Sequence, residues 1–392
     1  MTGILVGDHH MFNASQLAER LSELVQIPSV NPLQAGPKSG DNGEREISEW
    51  MANRCEDLGA TVATEDILDG RHNVYARFEG TSDRSLTIDV HLDTVGVEHM
   101  SGDPFDGRIE DSRVYGRGSV DTKATLAIAL AIIEEMKEQG NKPKPTINLV
   151  GTISEEMGGL IGAVGYRDWL LSRHEHIDQI IVAEPTMCSP VYGHKGGVGL
   201  DITVLGHAAH SSKPHLGKNA ISAAARIVTA IDAEQARLQK LRPSTAVGNG
   251  SVSVTEIEGG LARNIIPDRC FLYVGRRTSP GEDPAEIQTH LEALIRSNAV
   301  PLDVQIENTY GTGSPAFYQD PSSDLVTALS DIAGTSPDTA DYGSNALRYP
   351  EIATEVVVFG PGSIDQAHQA VEWIDLDQLD LAASIYRKFF NS

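Results

Sequence analysis

The chain has 392 residues, enough for two or three hydrophobic cores, so we expect a multidomain globular protein. Its 55 acidic and 31 basic side chains give a net charge of −24, which would repel nucleic acid and anionic membranes alike. The three cysteines are too few and too scattered for a disulfide framework or a thiolate zinc cage. With no signal-like segment and no long apolar run, we predict a cytoplasmic location and neither nucleic acid nor membrane as a partner.

The first predicted element is an amphipathic helix, with leucines at helical spacing before Pro28 and Ser15 as its expected N-cap. Four short apolar runs follow at intervals, and each is typical of a buried strand in an α/β sheet. These runs are Ser85–Val90, Thr146–Ile153, Ile177–Ala183 and Thr354–Phe359.

Between residues 194 and 308 the pattern changes to a self-contained β-α-β-β-α-β series, which predicts a ferredoxin-like α+β domain. We expect this domain to be inserted into a larger α/β domain formed by residues 1–193 and 309–392. Its predicted strands are Val198–Leu205, Ser251–Ile257, Cys270–Val274 and Leu302–Glu307, and its predicted helices are Asn219–Gln239 and Asp283–Ser297.

Chemically active side chains stand at or just after the predicted strand ends, where ligands of open α/β sheets collect. His91 ends the first strand and Asp93 follows it, but His-x-Asp alone is a common sequence. Asp121 precedes a predicted helix, so it is either a metal ligand or a helix cap. The glycines before Asp121 do not match a dinucleotide loop, because the third glycine of that fingerprint is missing.

Adjacent carboxylates follow the second strand, at Glu155 and Glu156. Paired acids are unfavourable there unless a cation compensates them, in which case one binds the metal and the other can move protons. Two solvated loop acids are the alternative. Glu184 follows the third strand, and His368 in a glycine-rich loop after the fourth supplies a second imidazole.

Two imidazoles and three ligating carboxylates, without thiolate, suit two metal ions. This donor set fits zinc and leaves cobalt or manganese possible. A carboxylate that bridges two metals about 3.5–4 Å apart is a recurring arrangement for hydrolysis by activated water. The site therefore predicts metal-dependent hydrolysis.

Seven motifs follow one another along the chain. They are His91-Leu-Asp93-Thr, Gly116-Arg-Gly-Ser-Val-Asp121-Thr-Lys123, Glu155-Glu156-Met-Gly-Gly159, Ala183-Glu184-Pro185, Gly206-His-Ala-Ala-His210-Ser-Ser, Arg263-Asn264-Ile-Ile-Pro267 and Phe359-Gly-Pro-Gly-Ser-Ile-Asp-Gln-Ala-His368. In these motifs, and over nearly its whole length, the chain resembles the acetylornithine deacetylase and succinyl-diaminopimelate desuccinylase family of di-zinc hydrolases, which includes aminoacylases and carboxypeptidases. The last motif is most similar to the acetylornithine deacetylases.

The resemblance implies an α/β catalytic domain with an inserted lid and dimerisation domain. It also implies the ligand set of two zinc ions. His91 and Glu184 would bind one zinc, Glu156 and His368 the other, and Asp121 would bridge them.

The resemblance further implies that Glu155 is the general acid/base and that Asp93 orients His91. The peptide bond between Asp121 and Thr122 would be cis, as it is in the family. In the inserted domain, His210 would polarise the scissile carbonyl of the substrate.

The same comparison implies that Asn264 and Arg277 receive the substrate carboxylate, and that His210 serves the metal site of the partner in a homodimer. A turn residue and a surface charge are the alternatives for Asn264 and Arg277. His207 and His215 lie close to His210 in the sequence, so the choice of His210 rests on the motif alone.

Two departures from the family pattern leave the fine choice of substrate open. Gly275 stands where the family often has an acid, and Tyr342-Gly-Ser-Asn345 stands where a Gly-Thr-Asp-like segment is frequent. The predicted function is deacylation of a small N-acyl amino acid resembling N-acetylornithine, as in arginine biosynthesis. A succinyl-diaminopimelate desuccinylase and a di-zinc dipeptidase or carboxypeptidase are the enzymatic alternatives. A binding protein without catalysis is the third, and the presence of Glu155 beside five candidate ligands argues against it.

Overall fold

The computed structural model describes residues 12–40, 43–309, 311 and 313–392, which contain eight α-helices and eighteen strands. The helices are α1 (Ala14–Val25), α2 (Arg45–Leu58), α3 (Lys123–Glu138), α4 (Ile161–Ser172), α5 (Ala220–Leu238), α6 (Pro284–Ala299), α7 (Asp324–Ala333) and α8 (Leu376–Phe390). None of these helices is long and apolar enough to cross a lipid bilayer.

The strands occur in both halves of the chain and around the middle segment. They are β1 (Thr61–Leu68), β2 (Arg71–Phe78), β3 (Ser85–His91), β4 (Ile109–Glu110), β5 (Arg113–Tyr115), β6 (Thr146–Thr152), β7 (Ile177–Val182), β8 (Val191–His194), β9 (Gly196–Leu205), β10 (Ala209–His210), β11 (Ser251–Gly259), β12 (Ile265–Ile266), β13 (Arg269–Thr278), β14 (Asp303–Asn308), β15 (Phe317–Tyr318), β16 (Asp338–Ala340), β17 (Ala353–Val358) and β18 (Trp373–Asp375).

The chain forms two compact units. The first contains the residues up to Tyr192 together with Gln319–Asp338 and Ser344–Ser392, and the second contains Gly193–Tyr318 and Thr339–Gly343. The main segment of the second unit thus reaches Tyr318, whereas the sequence pattern placed its end at residue 308. The extension is held by backbone pairing, because β15 lies antiparallel to the end of β8.

A mixed sheet forms the centre of the first unit, in the order β1-β2-β6-β3-β7-β17. The last four of these strands are mutually parallel, and they are the four strands predicted from apolar runs, which the structure confirms. Every residue of β6 is buried, as expected for a parallel strand covered on both faces. The carboxyl ends of these four strands therefore meet at one edge of the sheet.

Helix α1 begins two residues earlier than a cap at Ser15 would require, because its N-cap is Asn13, so that prediction is wrong. The side chain of Asn13 accepts a hydrogen bond from the backbone N–H of Gln16, and the side chain of Gln16 accepts one from the backbone N–H of Asn13. This reciprocal capping box satisfies two N–H groups that the helix leaves unpaired, which a cap at Ser15 would not do.

The second unit has the predicted β-α-β-β-α-β order. Its antiparallel sheet runs β11-β13-β9-β14, and α5 and α6 pack against it. The core between sheet and helices is made of aliphatic side chains that include Leu200, Ile227 and Leu291. Strand β11 is an edge strand in this unit, and its Ile257 is 56% exposed.

Candidate active site

The parallel strands of the first unit carry the predicted ligands to one edge of the sheet. His91 is the last residue of β3, Glu155 and Glu156 follow β6, and Glu184 follows β7. His368 lies in the loop after β17, where it adopts a positive φ of 63°. Side chains separated by up to 277 positions in the sequence are therefore neighbours, because their strands are neighbours in the sheet.

Asp121 lies between the two imidazoles. Its Oδ1 is 2.9 Å from Nε2 of His91, and its Oδ2 is 3.3 Å from Nε2 of His368. The helix-cap alternative does not hold, because Thr122 is the N-cap of α3 and no side chain caps that helix. The peptide bond between Asp121 and Thr122 is cis, as the family resemblance implied.

His368 also contacts Glu156. Its Nε2 lies 3.0 Å from one carboxylate oxygen of Glu156 and 3.2 Å from the other. The side chain of His368 is half exposed, whereas that of Glu156 is buried. The structure thus brings His368, Glu156 and Asp121 together at one side of the site.

Backbone geometry fixes which nitrogen of His91 faces the site. Its Nδ1 lies 2.9 Å from the backbone oxygen of Asp93, and since a carbonyl can only accept, Nδ1 carries the hydrogen. Nε2 is therefore the nitrogen with a free lone pair when the ring is neutral, and it points at Asp121. A metal-bound histidine is normally oriented through its second nitrogen in this way.

The carboxylate of Asp93 has a different set of partners from those implied by the resemblance. It is 3.7 Å from Nδ1 of His91, beyond hydrogen-bond distance, so Asp93 orients that ring through its backbone oxygen. Its two oxygens instead accept the backbone N–H groups of Glu155 and Glu156, each at 3.0 Å. Asp93 therefore positions the two glutamates.

Further buried residues hold the same loop, and none of them stands in a sequence motif that pointed to the site. Asn31 donates to Asp93 Oδ2 and to the backbone oxygen of Met157, both at 2.8 Å. The buried pair of Glu44 and Arg71 binds Ser154, through its backbone N–H and its hydroxyl respectively. Their partners around this loop lie 62 to 126 positions away along the chain, so no local pattern could have identified them.

Asn345 belongs to one of the two segments that depart from the family pattern, and the structure shows which groups it contacts. Its amide nitrogen donates to Asp89 Oδ2 at 3.0 Å and to Thr152 Oγ1 at 2.9 Å, and Tyr349 donates its hydroxyl to the same Asp89 oxygen. Asp89 is two residues before His91 on β3. Asn345 thus satisfies a buried carboxylate behind the site.

Glu155 and Glu184 form a second group with His91. One ligand atom from each of these three residues lies within 4.8 Å of the others, and a separate group of the same size contains His91, Asp121 and Glu156. Glu184 Oε1 is buried and has no hydrogen-bond partner in the described parts of the chain. A buried carboxylate oxygen without a partner is costly, and a cation would remove that cost.

The pKa values of the site reflect its crowded negative charge. Burial raises the pKa of Glu155 and of Glu184 well above the usual range. The charge of Glu156 adds to the rise at Glu155, and the charge of Glu155 adds to the rise at Glu184. Burial and Asp121 likewise raise the pKa of Glu156. The site therefore favours bound protons or another cation.

The same negative charges also raise the pKa values of the two histidines. Burial lowers the pKa of His91, but the hydrogen bond to Asp121 and the surrounding carboxylates outweigh burial and raise it well above 6.5. Hydrogen bonds to Asp121 and Glu156 raise the pKa of His368 to about 10. Burial raises the pKa of Asp121, while its bonds to both histidines bring it below the usual range.

The remaining predicted residues, His210, Asn264 and Arg277, belong to the second unit, and all three are exposed there. His210 pairs with Ile265 between β10 and β12, and the backbone oxygen of Asn264 accepts the N–H of Ser211. His210 and Asn264 are thus neighbours, while Arg277 lies on the separate strand β13.

The tautomer of His210 is fixed by its own loop. The backbone N–H of Ser212 lies 3.1 Å from His210 Nδ1, and because that group can only donate, Nδ1 is the acceptor. The hydrogen of the neutral ring therefore sits on Nε2. His210 presents a hydrogen-bond donor on its exposed nitrogen, which is what polarisation of a carbonyl oxygen requires.

Comparison with known proteins places this geometry in context. The profile described as "Peptidase family M20/M25/M40" matches residues 87–392. An acetylornithine deacetylase of Aliivibrio fischeri is 29% identical over 93% of this chain and 95% of its own length. A probable carboxypeptidase of Aspergillus clavatus is 30% identical over 96% of this chain and 88% of its own length. The crystal structure of an M20 family metallo-carboxypeptidase from Sulfolobus solfataricus has a TM-score of 0.76 at 19% identity, covering 96% of this chain and 98% of that one.

Proposed function

The chain belongs to peptidase family M20/M25/M40 and is a hydrolase of amide bonds, and from this premise we propose that it is a two-zinc deacylase of small N-acyl amino acids. The observation that carries the proposal is the arrangement of Glu155 and Glu156. Both backbone N–H groups are held by Asp93, and the two side chains enter different groups around His91. One of them can bind a metal while the other moves protons.

The donor set supports two metals. His91 and Glu184 would hold one zinc, Glu156 and His368 the other, and Asp121 would bridge the two. The unpartnered oxygen of buried Glu184 and the raised carboxyl pKa values support a resident cation. Bound zinc would supply Lewis-acid polarisation of the amide carbonyl and a lowered pKa for the attacking water.

Glu155 is the proton carrier in this proposal. Its carboxylate accepts the proton that water loses on attack at the amide carbon, and the same carboxyl then protonates the departing nitrogen. Burial raises the pKa of Glu155 in the metal-free site, which is the direction in which proteins adjust a carboxyl group for general acid/base work. Asp93 keeps the loop of Glu155 fixed while the proton moves.

His210 donates its Nε2–H to the carbonyl oxygen of the substrate as negative charge develops there. We place this donor in the site of a partner chain within a homodimer. The second unit offers a suitable contact, because its edge strand β11 ends beside exposed apolar side chains, namely Ile257 and Leu261. An unpaired strand edge with apolar side chains favours pairing with another copy.

Mixed dimers test whether His210 acts across the interface. Inactive Glu155→Gln protein is unfolded with an equal amount of inactive His210→Ala protein, and the mixture is refolded. If half the dimers are mixed and each has one intact site, roughly a quarter of wild-type activity returns under two-fold symmetry. Absence of activity in dimers shown to be mixed would contradict action in trans.

The substrate class is the finer part of the proposal. Identity to the deacetylase is 29% and to the probable carboxypeptidase 30%, so identity alone does not choose between them. We favour an N-acetylated amino acid such as N-acetylornithine, and hence a place in arginine biosynthesis, because the segment Phe359–His368 most resembles the acetylornithine deacetylases. Succinyl-diaminopimelate and dipeptides are the alternatives.

A substrate panel tests this choice. The zinc-loaded enzyme is assayed with N-acetylornithine, other N-acetyl amino acids, succinyl-diaminopimelate and dipeptides, and kcat/KM is compared across the panel. We expect the largest value for an N-acetyl amino acid. A dipeptide that exceeds every acyl amino acid in kcat/KM would replace the deacylase proposal with a peptidase.

A further inference from the structure

One buried ion pair lies beside the site, and neither of its two residues is a proposed metal ligand. Arg117 and Glu372 are both 1% exposed, and Nη1 of Arg117 donates to Oε2 of Glu372. Two charges removed from water in this way are costly unless further hydrogen bonds satisfy both groups. The other bonds of the pair therefore show what the pair holds in place.

Glu372 binds the loop that carries Asp121. Its second oxygen, Oε1, accepts the backbone N–H groups of Gly118 at 2.9 Å, Val120 at 3.1 Å and Asp121 itself at 3.3 Å. The backbone oxygen of Glu372 also accepts the N–H of Gly116 at 3.0 Å. One side chain thus fixes the backbone direction of the loop just before the proposed bridging carboxylate.

Arg117 extends the same network to two other segments. Its Nη2 lies 3.4 Å from the backbone oxygen of Gly96, which follows the His91 strand, and 3.3 Å from that of Gln369. Gln369 is the residue directly after His368. The guanidinium therefore contacts the two segments that carry the histidine ligands, while its partner holds the segment of Asp121.

We propose that Arg117 and Glu372 are positioning residues which lock three ligand-bearing segments together and so set the affinity for metal. The inference rests on the proposed metal site and deepens it. His91, Asp121 and His368 come from three distant parts of the chain, and the strands fix only the first of them directly. The pair supplies the remaining constraint, because its hydrogen bonds reach all three segments.

A second buried pair provides a matched control. Arg387 and Glu135 are both under 10% exposed and joined by a 3.0 Å bond from Nε to Oε2. Glu135 lies near the end of α3, roughly 20 Å along the helix from Asp121 at a rise of about 1.5 Å per residue. Loss of this pair removes a comparable buried interaction without touching a ligand segment.

The experiment compares Glu372→Gln and Arg117→Met with Glu135→Gln. Zinc affinity is measured by competition with a chromophoric chelator, and hydrogen exchange of residues 116–122 is measured in metal-stripped protein. We expect Glu372→Gln and Arg117→Met to weaken zinc binding by about 10–100-fold, the range typical of residues that orient ligands. We also expect faster exchange in residues 116–122, whereas Glu135→Gln changes neither quantity despite a lower melting temperature.

The double variant Arg117→Met with Glu372→Gln should weaken zinc binding no more than the worse single variant, since the two act as one unit. If Glu372→Gln does not fold, Glu372→Asp keeps the charge but shortens the reach to the three N–H groups, and the same loss is expected. Folded variants that bind zinc within threefold of wild type would overturn the proposal. So would an equal loss of affinity in Glu135→Gln. Because affinity is measured without substrate, failure of the deacylase assignment would leave this result unaffected.

Discussion

The proposed site residues of the two units are held in very different ways. In the first unit, Asp121, Glu155 and Glu184 are surrounded by other charges, and buried partners such as Asn31 fix the loops that carry them. In the second unit, His210 and its neighbours are exposed. A buried charged cluster must be built into the fold, whereas an exposed donor can be changed without disturbing its own unit. The two groups should therefore respond differently to substitution.

Metal removal should have the largest effect, and it should act on the first unit. Dialysis against a chelator is expected to abolish hydrolysis and lower the melting temperature, because the carboxylates around His91 lose their compensating cation. Zinc should restore both properties, with cobalt and manganese as comparisons. Full activity in protein shown by elemental analysis to hold no metal would contradict the assignment.

The substitution His210→Ala should have the next largest effect. We expect kcat to fall roughly 10²–10³-fold, as for other donors to a developing oxyanion. The melting temperature and zinc content should match wild type, because the side chain is exposed and lies outside the ligand set. His215→Ala, a neighbouring exposed histidine, is the control and should retain activity. Reversed results for the two variants would show that the wrong histidine was chosen.

Arg277→Ala and Asn264→Ala should have smaller effects, confined to substrate binding. Loss of a contact to the substrate carboxylate raises KM, here by roughly tenfold for each variant, with kcat little changed. Arg269→Ala, an exposed arginine at the start of β13, serves as the control for removal of positive charge. Steady-state kinetics separate the two parameters. An unchanged KM would show that Arg277 is a surface charge and Asn264 a turn residue, and that neither binds the substrate.

The last expected effect is on the pH dependence of zinc binding. Raised pKa values mean that the folded, metal-free site binds protons more tightly than the unfolded chain. The stability that comes from this proton binding is present below the ordinary pKa values of these groups. It is lost as pH rises through the raised pKa values of the folded state, and for His368 that raised pKa is about 10. Zinc must displace these protons, so its affinity should be at least roughly tenfold weaker at pH 5.5 than at pH 7.5. Calorimetric titration in two buffers of different ionisation enthalpy should show proton release, and its absence would contradict the pKa directions.

Much of the fold could be predicted from local patterns. The apolar runs gave all four parallel strands because a strand buried on both faces must be apolar along its length. The β-α-β-β-α-β order likewise predicted the ferredoxin-like sheet. The predicted helix cap at Ser15 was wrong because Asn13 and Gln16 form a reciprocal capping box that starts the helix two residues earlier.

Site residues could be predicted from the sequence where they lie at a strand end. Hydrogen bonds that form only through tertiary packing could not be predicted. His91 ends β3 and Glu184 comes shortly after β7, so their position at the sheet edge could be inferred. The partners of Asp93, and the network around Arg117 and Glu372, join segments up to 255 positions apart. Such contacts exist only once the sheet has formed. The family resemblance implied the proposed ligand set but not these supporting bonds.

The central claim is that the adjacent glutamates divide their work, with Glu155 moving protons and Glu156 holding metal. The most direct test is the zinc content and single-turnover rate of Glu155→Gln and Glu156→Gln, measured side by side. We predict that Glu155→Gln retains two zinc ions per chain and loses rate by roughly 10²–10⁴-fold, while Glu156→Gln loses zinc. A Glu155→Gln protein that has lost its zinc, beside a Glu156→Gln protein that keeps it, would contradict the account.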